Sequence, residues 1–180
     1  MIGLPAKIVA IHTALGEAGL PHAFGGALAL AWCTERARGT IDIDLNVFVD
    51  SSMARGVLDA LPDEVVWSDA DLHLVAQDGQ VRLWWATTPV DLFLNTTGFH
   101  VQAGERARWE DFACVQIPFL SCPDLAVFKA FFNRTKDWAD LEEMAAAGTL
   151  DLDRVIGVLV RYLGTADERI ERLQTLLGRP

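Results

Sequence analysis

Two aspartates two positions apart, Asp42 and Asp44, interrupt the stretch "RGTIDIDLNVFV" at residues 38–49, whose Ile, Leu, Val and Phe have the composition of a strand inside a sheet. On a strand, positions i and i+2 project to one face, about 7 Å apart. Asp42 and Asp44 are therefore expected to point together, with Ile41, Ile43 and Leu45 turned into the core. Neighbouring carboxylates repel and resist desolvation unless a cation stands between them. Hard cations prefer oxygen ligands, and Mg²⁺ (or Mn²⁺) is commonly held by one or two carboxylates plus substrate phosphates. Taken alone, the pair fits equally well an edge strand with a solvated acidic face.

Three further features bear on that choice. Gly25 and Gly26, in "FGGALALAW", stand immediately before an apolar run that reads as a buried helix. Glycines let a phosphate approach the backbone, and a helix N-terminus offers free N–H groups and a positive dipole end. The same pair also suits a plain turn requiring positive φ. Asp91, in "TTPVDLFLN", is another carboxylate in an apolar run, a candidate third metal ligand or general base. Finally, "VFKAFFNRTKDWADLEEM" sets Lys129 among phenylalanines. On one continuous helix Lys129, Asn133, Lys136 and Asp140 would form a stripe, with Arg134 and Asp137 beside it, suited to neutralising triphosphate charge. A solvated helix face would look the same.

The elements that must position these residues read as a mixed α/β body followed by helices. Leu4, Ile8, Ile11 and Leu15 predict a helix over 4–19. "GLPHAFGG" breaks it, "ALALAWCTE" forms a short buried helix, and the acidic strand spans 41–49. A helix with Ser51 or Ser52 as N-cap follows. "EVVW", "LHLVA", "QVRLWWAT" and "PVDLFLN" read as strands, with Trp84 and Trp85 divided between surface and core. "NTTGFHVQAGERARWED" reads as a loop with room for a helical turn, and "ACVQIPFLS" as a strand. Helices are expected over 123–146, 151–163 and 166–177. The division is a core of residues 1–121 and a helical C-terminal part, 122–180, packed as a single compact unit.

At 51% hydrophobic and 22% charged, 180 residues can bury a sizeable core. A net charge of −10 argues against a general nucleic-acid-coating field, which depends on Lys and Arg, but leaves room for a local basic pocket. Cys33, Cys114 and Cys122 are odd in number and widely spaced, which predicts reduced core thiols in a cytoplasmic protein. The N-terminal residues lack the pattern of a signal peptide, and no apolar run is long enough to span a membrane. His12, His22, His73 and His100 lack ligand spacing and are expected in surface or core roles.

The order of a Gly pair, T-x-D-x-D-L and a later strand Asp resembles the nucleotidyltransferase superfold shared with DNA polymerase β. The additional "K…R-x-K-D-x-x-D" resembles the AbiEii-like (MenT-type) nucleotidyltransferase toxins of bacterial toxin–antitoxin systems. The resemblance implies a mixed β-sheet flanked by helices, with Asp42, Asp44 and Asp91 as metal ligands and catalytic carboxylates. It implies that Gly25 and Gly26 cradle phosphates, and that Lys129, Arg134, Lys136 and Asp137 line the nucleotide. A nucleoside triphosphate is then the donor, the 3′ end of tRNA the acceptor, and a cognate antitoxin the partner. Arg36 and Arg38 are further basic candidates for the RNA. Thr40 becomes a nucleotide-site residue and a candidate for inactivating phosphorylation by an antitoxin kinase, because added negative charge beside the metal ligands would oppose nucleotide binding. The alternatives are the same chemistry on an aminoglycoside-like small molecule or on a protein, and a catalytically silent nucleotide-binding regulator.

Overall fold

The computed structural model describes residues 2–37 and 39–176. It divides into two compact units, Met1–Leu28 with Gly39–Leu120, and Ala29–Arg38 with Ser121–Pro180. The first is built on a mixed seven-stranded sheet in the order β3-β4-β5-β2-β1-β7-β6. Its strands are β1 (His22–Phe24), β2 (Ile43–Asp50), β3 (Val65–Val66), β4 (Gln80–Trp85), β5 (Thr88–Asn95), β6 (Arg108–Phe112) and β7 (Val115–Phe119). Helices α1 (Leu4–Glu17), α3 (Ala54–Ala60), α4 (Asp69–Asp78) and α5 (Gly98–Glu105) accompany it, and α2 (Gly26–Thr34) begins there. The expected α/β class is the class found.

The central strands alternate as a sheet with one packed face must. β2 runs parallel to β5, placing Ile43 opposite Val90 and Leu45 opposite Leu92, all fully buried. The intervening positions, Asp44 opposite Asp91 and Asn46 opposite Phe93, face the other way. Ile41 departs from the expected pattern: it precedes β2 and is 74% exposed, because regular pairing starts only at Ile43. The tryptophan pair divides as expected, with Trp85 in the core and Trp84 exposed.

Several local expectations are corrected. "LHLVA" lies in helix α4, not a strand. Ser68 and Asp71 form a reciprocal capping box at its start, and Gly79 closes it in the left-handed conformation. The expected loop after Asn95 holds α5 and β6. The "GLPHAFGG" break contains β1, three buried residues too few to display a period. The short 3₁₀ turn Ser51–Met53 ahead of α3 is capped by Asp50, whose carboxylate accepts from the Ser52 N–H, rather than by a serine.

The second unit contains α6 (Cys122–Phe132), α7 (Thr135–Ala146), α8 (Leu152–Leu163) and α9 (Glu168–Leu176). The helix expected over 123–146 is two helices. Asn133 adopts φ 56° and Arg134 is extended, with the Asn133 side-chain Oδ1 accepting from Trp138 Nε1 at 2.7 Å. The thiol expectation also fails: Cys33 and Cys122 form a disulfide across 89 residues of sequence, and Cys114 is free and exposed. Closing so long a loop restricts the unfolded chain, so reduction, or the double change Cys33→Ser and Cys122→Ser, is expected to lower unfolding free energy by about 2–4 kcal/mol. Urea denaturation with and without reductant reads this directly; coincident curves would show a bridge without energetic weight.

Candidate functional site

The sheet brings Asp44 and Asp91 side by side. The parallel β2–β5 register sets them opposite each other, and the antiparallel β4–β5 register sets Arg82 opposite Asp91. Arg82 Nε donates to Asp91 Oδ1 at 2.6 Å and its Nη2 to Oδ2 at 2.7 Å, a bidentate pair. The same Nη2 lies 4.0 Å from Asp42 Oδ2. The hydrogen bonds to Asp91, then the charges of Asp91, Asp42 and Asp44, raise the Arg82 pKa above its ordinary value and keep it a cation. All three sequence-predicted carboxylates thus act on one guanidinium. Arg82 itself escaped the sequence reading. The signal that could have found it is a charge in β4 at the alternation position of exposed Trp84, beside a strand already carrying an acid.

Asp42 precedes β2, so strand alternation does not orient it or Thr40. The Thr40 hydroxyl instead lies 3.2 Å from both the Asp42 N–H, from which it accepts, and the Asp42 carbonyl, to which it donates. Thr40 therefore fixes the backbone that presents Asp42.

The glycine pair is explained by Asp44. The Gly25 N–H donates to the Asp44 carbonyl at 2.8 Å. A Cβ on Gly25 would lie 3.0 Å from Asn46 Nδ2 and 3.1 Å from Leu120 Cδ1. At Gly26, where φ is +55°, a Cβ would fall 1.7 Å from Asp44 Oδ2. The Asp44 carboxylate thus lies against the first residue of α2, where a helix favours negative charge. Gly26→Ala combines a strained φ with this overlap. It is expected to cost about 1–3 kcal/mol of stability and to displace Asp44. Chemical denaturation checks it, and an unchanged midpoint would contradict the close approach.

Among the described residues, no group of three or more His, Cys, Asp or Glu side chains is gathered as a metal cage. In this structure both Asp91 oxygens accept from Arg82. The donor chemistry nevertheless suits a hard divalent cation: three partly exposed carboxylates share the field of one guanidinium.

The Lys129 group belongs to the second unit. Lys129 is 6% exposed; its Nζ is 2.6 Å from Asp140 Oδ2 and 3.8 Å from Asp137 Oδ1. Arg134 reaches the same Asp137 through Nε at 2.6 Å and Nη2 at 3.1 Å. The expected stripe is therefore an ion-pair network folded around a helix break, with only Lys136 of its basic side chains exposed and outside these pairs. Arg36 is exposed; Arg38 lies outside the described residues. His12 and His22 hydrogen-bond each other, and His100 caps α5, in line with the structural roles expected. No helix among the described residues is long and apolar enough to cross a membrane.

No family model and no curated protein sequence matches the chain. The antibiotic-resistance factor ANT(2″)-Ia in solution matches 97% of this chain over 90% of its own length, at 17% identity and a TM-score of 0.52. ANT(2″)-Ia in complex with adenylyl-2″-tobramycin matches 97% of this chain over 94% of its own, at 16% identity and a TM-score of 0.53. At such identities the likeness is one of fold: the chain shares the fold of ANT(2″)-Ia.

Proposed function

We propose that the protein is a divalent-metal-dependent nucleotidyltransferase, transferring a nucleoside monophosphate from a nucleoside triphosphate to a hydroxyl group. The observation carrying this reading is the in-register pair Asp44–Asp91, with Asp42 and Arg82 beside it. Asp42, Asp44 and Asp91 would hold the cation, which when bound offsets triphosphate charge and favours in-line attack at the α-phosphorus. The acceptor oxygen bonds to the α-phosphorus, the bond to the β-phosphate oxygen breaks, and pyrophosphate leaves. The hydroxyl proton passes to Asp91, which requires Arg82 to relax its grip and turn its charge toward the phosphates. Gly25 and Gly26, at the start of α2, take the close approach of Asn46, Leu120 and Asp44, and so seat the Asp44 carboxylate where the cation would bind. Thr40 holds Asp42 in place, and a phosphate on its hydroxyl would oppose the triphosphate. Within the second unit, Lys129 is committed to Asp140 and Arg134 to Asp137.

For the acceptor, the reading favoured is a small cationic molecule bearing hydroxyls, of the aminoglycoside kind. The net charge of −10 attracts such a molecule, and the fold likeness to ANT(2″)-Ia runs nearly the whole length of both chains. Trp84, 48% exposed and on the same face as Arg82, offers a ring surface for a sugar or base. The second reading is the 3′ end of tRNA, with a cognate antitoxin. The K…R-x-K-D-x-x-D pattern supports it, but Asp137 and Asp140 neutralise much of the basic charge that RNA would use. Supplying each α-labelled nucleoside triphosphate with Mg²⁺ to a panel of aminoglycosides, total tRNA and protein acceptors separates the readings. Label on an aminoglycoside supports the first and label on tRNA the second. Label on neither small molecule, RNA nor protein overturns the enzyme reading.

A further inference from the structure

A second polar constellation lies at the other end of β2. Phe48 is four residues along the strand from Asp44, about 13 Å at the rise of a strand. There His12, Gly16, His22, Phe48, Trp109 and Pro118 are among the walls of a 310 Å³ cavity.

The hydrogen bonds fix the protons of its two histidines. His22 Nδ1 lies 2.8 Å from the Leu20 carbonyl, which can only accept, so Nδ1 carries a proton. Neutral His22 then offers a lone pair at Nε2, and His12 Nδ1, 2.9 Å away, must be the donor to it. This leaves His12 Nε2 as a lone-pair acceptor with no protein partner among the described residues. Burial lowers the pKa of both rings, which keeps them neutral near pH 7. Trp109, 60% exposed, stands edge-on to His12 with ring centroids 5.9 Å apart. Phe48 packs closely against Gly104, where a Cβ would fall 2.6 Å from its ring.

We propose that this cavity binds a small neutral aromatic molecule carrying one O–H or N–H donor, such as a phenol or an indole, with His12 Nε2 accepting the hydrogen bond. The volume suits one or two fused rings, and the walls are aromatic and apolar apart from the histidine pair. The His22–Leu20 relay pre-orients the acceptor, so binding reorganises no hydrogen bond.

Phenol, indole and toluene titrated separately into the full chain, followed by ligand-observed NMR and tryptophan fluorescence, test the proposal. Phenol and indole are expected to bind saturably, and toluene about fivefold more weakly, the worth of one net hydrogen bond. His12→Phe keeps a ring but removes the acceptor, and should bring phenol down to the level of toluene. Gly16 lies one helical turn after His12, and a Cβ there meets nothing within 4 Å. Gly16→Leu therefore places its Cβ without a clash at the cavity wall, and the added side chain is expected to weaken binding of all three at least tenfold, while circular dichroism and nucleotidyl transfer stay unchanged. Absence of saturable binding by the wild-type protein, equal affinity for phenol and toluene, or undiminished phenol binding in Gly16→Leu would each overturn the proposal.

Discussion

Asp44→Asn is expected to lower nucleotidyl transfer at least about a thousandfold while leaving the fold intact. Neutralising triphosphate charge through a bound cation contributes several kcal/mol to the transition state, and each ~1.4 kcal/mol is tenfold in rate. Asparagine keeps the shape that fits over Gly26 and removes only the charge. It also relieves repulsion toward Asp42 and Asp91, so thermal stability should hold or rise slightly. Asp91→Asn should lose activity comparably, but by two routes: it removes a ligand and base, and it loosens Arg82, whose bidentate partner it is. Steady-state kinetics with thermal melts on both variants distinguish these outcomes from unfolding. An Asp44→Asn protein retaining more than a tenth of wild-type transfer would contradict the assignment.

Lys129→Met should act on stability. Lys129, Asp137 and Asp140 are all buried, and the lysine is 2.6 Å from one carboxylate and 3.8 Å from the other. Removing the cation takes from buried Asp140 its 2.6 Å ion-pair partner, a loss of about 3–5 kcal/mol. Arg134 remains on Asp137 and limits the damage there. Adding Asp140→Leu removes the buried carboxylate as well, and should recover much of the loss. Urea denaturation of the single and double variants reads this coupling. If Lys129→Met keeps wild-type stability but raises KM for nucleotide, Lys129 is a nucleotide contact, as the motif resemblance first suggested.

The acid site was legible because it violates its surroundings. Asp42, Asp44 and Asp91 are carboxylates in apolar strand sequences, and only a sheet register was needed to align two of them. Arg82 was not legible, since no spacing rule links a position on β4 to one on β5 before the hairpin register is known. The glycine pair was found for a partial reason: its tightest neighbour is Asp44, a contact made only when the chain folds back. Helix α4 was missed because "LHLVA" alternates like a strand, while the deciding signal, the Ser68–Asp71 box, lies just before it. The Lys129 stripe assumed a helix through Asn133. The left-handed turn there sends Asp137 and Asp140 back onto the lysine, converting an apparent substrate surface into an internal network. The disulfide between Cys33 and Cys122 could not be inferred from three widely spaced cysteines, because only the fold brings their Cα atoms to 5.5 Å.

The most direct test of the acid site is a calorimetric titration of nucleoside triphosphates into wild-type protein, in Mg²⁺ and in EDTA, repeated with Asp44→Asn. Asp42, Asp44 and Asp91 as cation ligands predict tight binding of at least one triphosphate in Mg²⁺. That binding should collapse in EDTA and be lost in the Asp44→Asn protein. Binding of equal strength with and without the metal, or none under either condition, would contradict Asp42, Asp44 and Asp91 as cation ligands.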